Sequence, residues 1–214
     1  MVVKAQKSKP RPSREGRRRL QREDWVQAAL RRLATSGIEA VRVEVLATDL
    51  GVTKGSFYWH FKDRPDLLET VLHEWETSAT VAGAVPEQAA PPERMARFLE
   101  LVTAYAADPD RAALESAVLA WAQKDPAVAE RVAAIEASRT ANAERLLAEV
   151  GFPPSEAADW ADIGYTTVVG MMSRSTRDPR FRRWPRSDYL TRVVDAARSL
   201  VERRDNSRPS ADAG

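Results

Sequence analysis

The sequence predicts an all-α protein, on three observations. Apolar residues recur three and four apart almost throughout, acidic or hydroxyl residues and prolines stand where such runs begin, and the one alternating stretch, Val41, Val43 and Val45, is too short for a sheet and has no partner strand. With 214 residues and 43% hydrophobic content the chain can form one large or two small cored domains, and no apolar run reaches the roughly 18 residues of a membrane span. Cysteine is absent, which removes disulfides, thiol nucleophiles and thiolate metal sites.

In chain order, residues 1–20 read as a basic arm, disordered when free, with Pro10, Pro12 and Gly16 discouraging regular structure. Trp25, Val26, Ala29, Leu30 and Leu33 form the stripe of a first helix, and Gly37 suits the position past its end. The Val41–Val45 stretch is then the entry to a second helix over about 44–51. Gly51 can turn the chain sharply at positive φ, and Thr53 offers a hydroxyl to the first free N–H groups of a third helix. In that helix Phe57 and Phe61, four apart, face inward, while Lys54, Ser56, Tyr58, Trp59 and His60 crowd the remaining surface with donors and flat rings. Helix, tight turn and short helix make a helix-turn-helix. Asp63 caps a fourth helix, Pro65 fits its first turn, and Leu67, Leu68, Val71, Leu72 and Trp75 give it one apolar face reaching about residue 82. Residues 21–82 are thus expected to form a DNA-binding domain.

Gly83 to Pro92 reads as the joint to a second domain over 83–205. Met95, Phe98, Leu99 and Val102 mark a fifth helix stopped by Asp108-Pro109, and Asp110 opens a sixth with Leu114, Val118 and Trp121. Asp125-Pro126 is a cap and first turn for a seventh through Val128, Val132, Ile135, Leu146 and Leu147, ended by Gly151. Ser155 starts an eighth bearing Trp160, Ile163, Gly164, Thr167 and Met171, and Ser187 a ninth with Leu190, Val193, Val194, Ala197, Leu200 and Val201. Nine helices result, followed by a frayed polar tail over 206–214.

The net charge of +2 conceals a division. Residues 1–64 hold fifteen Lys and Arg against seven Asp and Glu, a balance of +8, so the rest of the chain carries −6. Positive charge concentrated at one end is the footprint of a nucleic-acid partner, and Lys7, Lys9, Arg11, Arg14 and Arg17 to Arg19 of the arm would add phosphate or minor-groove contacts. The plainer reading of that arm is a solubility tail.

The run from Leu50 to Arg64 resembles the DNA-binding domain of the TetR family of bacterial transcriptional regulators, through its Gly51-Val52-Thr53 turn, its Tyr58-x-His60-Phe61 core and a basic residue, Arg64, three positions on. The resemblance covers residues 22 to about 72. It implies that Lys54, Gly55 and Ser56 approach base edges, and that Thr53, Tyr58, Trp59, His60 and Arg64 hold phosphate or sugar. Two positions depart from the family pattern: Arg64 stands where lysine is usual, which changes donor geometry, and Val43 stands where a hydroxyl residue often caps the preceding helix and touches a phosphate. Arg42, beside it, can supply that contact.

The resemblance further implies a nine-helix, cytoplasmic homodimer, with a double-stranded DNA operator and a partly apolar small-molecule effector as partners. It implies a repressor released by that effector, with the fourth helix as a lever. For the dimer interface the candidates are Trp160, Gly164, Val168, Val194 and Leu200 on the last two helices, where two glycines, Gly164 and Gly170, would allow close approach. For the effector pocket they are Phe98, Val102, Tyr105, Leu114, Val118, Trp121, Tyr165, Met171 and Met172, an apolar lining with a few polar handles.

Enzyme chemistry finds no foothold. His60 and His73 are the only histidines, with no His-Glu-x-x-His pattern and no Gly-rich phosphate loop, and the carboxylates mostly sit beside arginines on predicted polar faces. No cofactor, metal or membrane partner is expected. The rival reading is an all-helical protein-interaction module without DNA binding; a TetR-like activator is the other.

Overall fold

The computed structural model describes residues 20–78, 85–178 and 189–206. Among them lie nine α-helices and no strand: α1 (Arg22–Ser36), α2 (Val43–Asp49), α3 (Lys54–Phe57), α4 (Arg64–Ser78), α5 (Pro91–Ala107), α6 (Pro109–Ala122), α7 (Pro126–Glu149), α8 (Pro154–Arg177) and α9 (Tyr189–Asn206), with a 3-10 turn at Ile38–Ala40 between the first two. The all-helical class and the helix order follow the sequence pattern. The basic arm, the expected end of α4 near residue 82, Gly83 in the joint, Ser187 and most of the C-terminal tail lie outside the described residues.

Helix starts show which cap signals act. A reciprocal pair opens α1, where the Gln21 N–H donates to Asp24 Oδ2 at 2.7 Å. Asp63 caps α4 as expected, its Oδ1 accepting the Asp66 N–H at 2.9 Å. Asp125 caps α7, with Pro126 at the first position. For α6 the cap is Asp108 and not Asp110: Asp108 Oδ1 accepts from the Asp110 and Arg111 N–H groups at 3.0 and 3.3 Å, so one Asp-Pro pair both ends α5 and begins α6. Helix α8 starts at Pro154 after extended Pro153, ahead of Ser155, because proline's fixed φ suits a first turn. Pro91 and Pro92 likewise open α5 and shorten the joint. Thr53 precedes α3 without a side-chain cap, contrary to expectation. Gly51 has φ +66°, and no atom lies within 4 Å of where a Cβ would sit, so conformation and not crowding calls for glycine there.

Two main cores form. The first joins Trp25, Ala29 and Leu33 of α1, Leu46 of α2, Phe57 of α3 and Leu67, Val71 and Trp75 of α4 to Val118 and Trp121 of α6 and Val128 and Val132 of α7. It therefore runs across residue 83, the expected domain boundary. The second packs Met95 and Leu99 of α5, Leu146 and Leu147 of α7, Ala157 and Ala161 of α8 and Leu190 and Ala197 of α9. Each fully buried Leu or Val side chain stabilises by roughly 1.5–3 kcal/mol. Polar ties reinforce the first core: Arg131 of α7 grips Glu76 through Nε and an NH2 nitrogen at 2.5 and 2.7 Å and Glu69 at 2.7 Å, both on α4, and Lys124 pairs with Glu39 of the 3-10 turn.

Candidate nucleic-acid interface and ligand cavity

The end of the molecule built from α1 to α3 presents an exposed helix-turn-helix. Phe57 seats α3: its ring meets Trp25 edge-on at 5.3 Å and stacks on Phe61 at 5.4 Å, and the Arg22 guanidinium lies 4.5 Å over Phe61. Both phenylalanines are buried, as their four-residue spacing predicts. With those rings inward, the residues between them turn out: Tyr58 is 56% exposed and Trp59 86%. Arg42, Thr53, Lys54 and Gly55 are also exposed, and Ser56 and His60 are half-buried. Helix α3 is only four residues long, so Tyr58, Trp59 and His60 project from the turn that follows it.

Two of the basic residues already have partners. The Lys54 ammonium pairs with Glu44 of α2, and that hydrogen bond holds the lysine pKa above its ordinary value and the Glu44 carboxyl below its own. Arg64 faces inward, where its Nε donates to the Val41 carbonyl at 2.6 Å and an NH2 nitrogen to the Ile38 carbonyl at 2.9 Å. It ties the start of α4 to the 3-10 turn. Val43, in the first turn of α2, is buried.

A cavity of about 130 Å³ lies between α5, α7, α8 and α9. Of the residues named for an effector pocket, Phe98, Val102, Tyr105, Tyr165 and Met172 line it, and Met171 does not. Leu114, Val118 and Trp121 do not. Val118 and Trp121 are buried in the first core and Leu114 packs against it, because the apolar face of α6 turns toward α1 and α4. Helical periodicity identifies a buried face without saying which neighbour covers it. Of the residues expected at a dimer interface, Trp160, Gly164, Val168 and Val194 also line this cavity, whereas Leu200 is 52% exposed. Nothing lies within 4 Å of a Cβ built on Gly164 or Gly170, so neither glycine makes room for a helix of its own chain.

Sequence reasoning missed the polar centre beside the cavity. Glu115 of α6 is 1% exposed and is no solvated surface carboxylate. It accepts from Trp75 Nε1 of α4 at 3.0 Å, from the Tyr105 hydroxyl of α5 at 2.9 Å and from Arg139 of α7 at 2.5 Å. Nearby, the Tyr165 hydroxyl of α8 donates to Glu136 at 2.9 Å. Burial pushes both tyrosine pKa values up, and the carboxylates beside them add to the shift. Burial by itself would lower the Arg139 pKa; the hydrogen bond and charge of Glu115 raise it on balance. A signal for these residues was present. Arg139 continues the α7 stripe of Val128, Val132, Ile135 and Leu146, and Glu115 falls between Ala112 and Val118 on the buried face of α6. Charged residues on an apolar stripe mark paired interior groups.

Fold and site together define an all-helical protein with an N-terminal helix-turn-helix and a second helical layer enclosing a cavity. Residues 26–71 match the family described as bacterial regulatory proteins, tetR family. The chain is 36% identical over 62 residues to the HTH-type transcriptional regulator AcrR of Shigella flexneri, a match spanning 29% of this chain and 27% of that relative. Over most of its length it has the fold of solved regulators. A transcriptional regulator from Rhodococcus sp. superposes with a TM-score of 0.66 at 19% identity, covering 86% of this chain and 97% of the other. A TetR-family transcriptional regulator from Marinobacter aquaeolei does so at 0.64 and 14% identity, covering 86% and 98%. Salmonella enterica GusR gives 0.61 at 17% identity, covering 85% and 95%.

Proposed function

We propose that this protein is a sequence-specific DNA-binding transcriptional regulator that acts as a homodimer, represses its target, and leaves the operator when a small molecule fills the cavity. The observation that carries the reading is the outward pair Tyr58 and Trp59 beside Lys54, held in place by the buried Phe57 and Phe61. Large aromatic surface left in water at the basic end of a chain fits a partner with a phosphate backbone. In this reading Lys54, Gly55 and Ser56 meet base edges, while Arg42, Thr53, Tyr58, Trp59 and His60 hold phosphate or sugar. Arg64 supports them from behind.

Homodimerisation would use the outer faces of α8 and α9, where Ile163 is 48% exposed and Leu200 52%. Two-fold symmetry would set paired recognition elements about 34–36 Å apart, one turn of DNA. An effector releases the operator only by binding better to the dimer state whose spacing is wrong. Among the described residues no helix is long and apolar enough to cross a membrane, which accords with work in the cytoplasm. Selection of bound duplexes from a random pool, followed by titration of the selected duplex over a range of salt, tests the reading. Enrichment of a two-fold symmetric sequence and a steep fall of affinity with salt are expected. A pool without enrichment and a flat salt response would point instead to a helical protein-interaction module, and activation of a reporter by the same operator to an activator.

A further inference from the structure

Glu44 is an acid on the face that the DNA-binding reading turns toward a polyanion. Val43, Leu46 and Ala47 of α2 are buried, which leaves Glu44 exposed on the opposite side of the helix. Its side chain crosses to the first residue of α3, where Oε1 accepts a hydrogen bond from the exposed Lys54 ammonium. The charge of Arg42, two residues before it, also favours the ionised carboxylate. Two cations therefore accompany the acid, and they offset the repulsion it meets from nearby phosphates. An exposed pair of this kind contributes little to stability.

We propose that Glu44 reads a base, and that with Lys54 it selects one G·C pair in each half-site, Lys54 donating to guanine O6 and N7 and Glu44 accepting from cytosine N4. The inference rests on the reading of this face as a DNA interface. Its ground is a match of spacing and polarity. In the major groove a G·C pair sets the acceptor O6 beside the donor N4–H, atoms joined by a base-pairing bond of about 2.9 Å. The Lys54 ammonium and the Glu44 carboxylate are likewise one hydrogen bond apart, a donor beside an acceptor. Exchanging their mutual bond for these two contacts leaves neither group without a partner. C·G and A·T pairs reverse the order and set an acceptor against the acid. A T·A pair keeps the order, but thymine's methyl replaces guanine N7, and adenine N7, an acceptor, stands beside the donor that the carboxylate needs. Away from that cytosine the acid meets only phosphate oxygens, so it lowers affinity for other sequences.

The test selects duplexes from a random pool with the full-length protein and with its Glu44→Gln and Glu44→Ala variants. The side chain is exposed, so neither substitution threatens the fold. The unsubstituted protein is expected to enrich a G·C pair that Glu44→Gln opens to T·A, because glutamine bonds adenine N6 and N7, with the other positions unchanged. A second arm replaces the cytosine of that pair, in the selected duplex, by 2-pyrimidinone, which lacks the 4-amino group. The unsubstituted protein should lose roughly tenfold in affinity, the worth of one hydrogen bond to a charged group, and Glu44→Ala about twofold at most. The weakened base pairing is common to both proteins and cancels in the comparison. An equal loss in the two proteins would make Glu44 a support for Lys54 alone and overturn the proposal. A two-fold symmetric sequence selected identically by all three proteins would overturn it as well, while leaving the DNA-binding reading in place. Failure of every protein to enrich any duplex would overturn that reading and the proposal with it.

Discussion

At the recognition face, the side chain proposed to read bases is engaged before DNA arrives. Lys54 must leave Glu44 to reach a base or phosphate, and Glu44 would then stand as an acid beside the backbone. Glu44→Gln removes the competitor, so duplex affinity at low salt should rise about two- to fivefold, the worth of an exposed pair, and the gain should shrink as salt screens it. Fluorescence anisotropy at two salt concentrations checks both parts. Arg64 sits differently. Its guanidinium satisfies the carbonyls of Ile38 and Val41, so Arg64→Ala should lower stability by about 1–3 kcal/mol through unpaired, partly buried acceptors. Urea unfolding without DNA measures that loss; an unchanged midpoint would return Arg64 to the set of direct phosphate contacts.

Among the helices, caps and inter-helix ties set the geometry that both sites depend on. Asp108 fixes where α6 begins, and with it the register that points Glu115 at α4, α5 and α7. Asp108→Ala should cost roughly 1 kcal/mol, and Asp110→Ala clearly less, in thermal or urea unfolding. The α4–α7 tie carries a pH dependence. The hydrogen bond from Arg131, ahead of the charge attraction, holds the Glu76 carboxyl below its ordinary value of 4.5. A carboxyl lowered in the folded state stabilises above its unfolded value and loses that contribution as pH falls through the folded one. Stability should therefore decline below about pH 4.5, and Glu76→Gln should flatten part of that decline in urea titrations taken pH by pH.

Across the molecule, the first core makes the helix-turn-helix and the front of the second layer one cooperative body. Trp121 illustrates the consequence: it is packed with α1 and α4 residues and does not touch the cavity. Trp121→Ala should cost roughly 3–5 kcal/mol and lower DNA binding through loss of fold, with far-ultraviolet circular dichroism and tryptophan fluorescence following a single transition. Separate transitions for the two layers would show that the shared core does not couple them. A variant that stays folded, binds its duplex normally and ignores the effector would put Trp121 back in signal reception.

Much of this protein was determined by local chemistry in the sequence. The helix class, the Gly51 turn, the inward pair Phe57 and Phe61, and the Asp63 and Asp125 caps all depend on residues within a few positions of one another, where periodicity, φ preference and hydrogen-bonding reach act directly. The concentration of positive charge at one end is likewise a property of the sequence alone. The tertiary structure decided what covers each buried face. It turned α6 toward the helix-turn-helix layer, put Trp160, Gly164, Val168 and Val194 on a cavity wall, folded Arg64 inward, and brought Trp75, Tyr105, Glu115 and Arg139 from four helices to one point. A helical stripe fixes that a face is buried; which helix lies against it depends on crossing angles and connections that span dozens of residues, and only the packed molecule sets those.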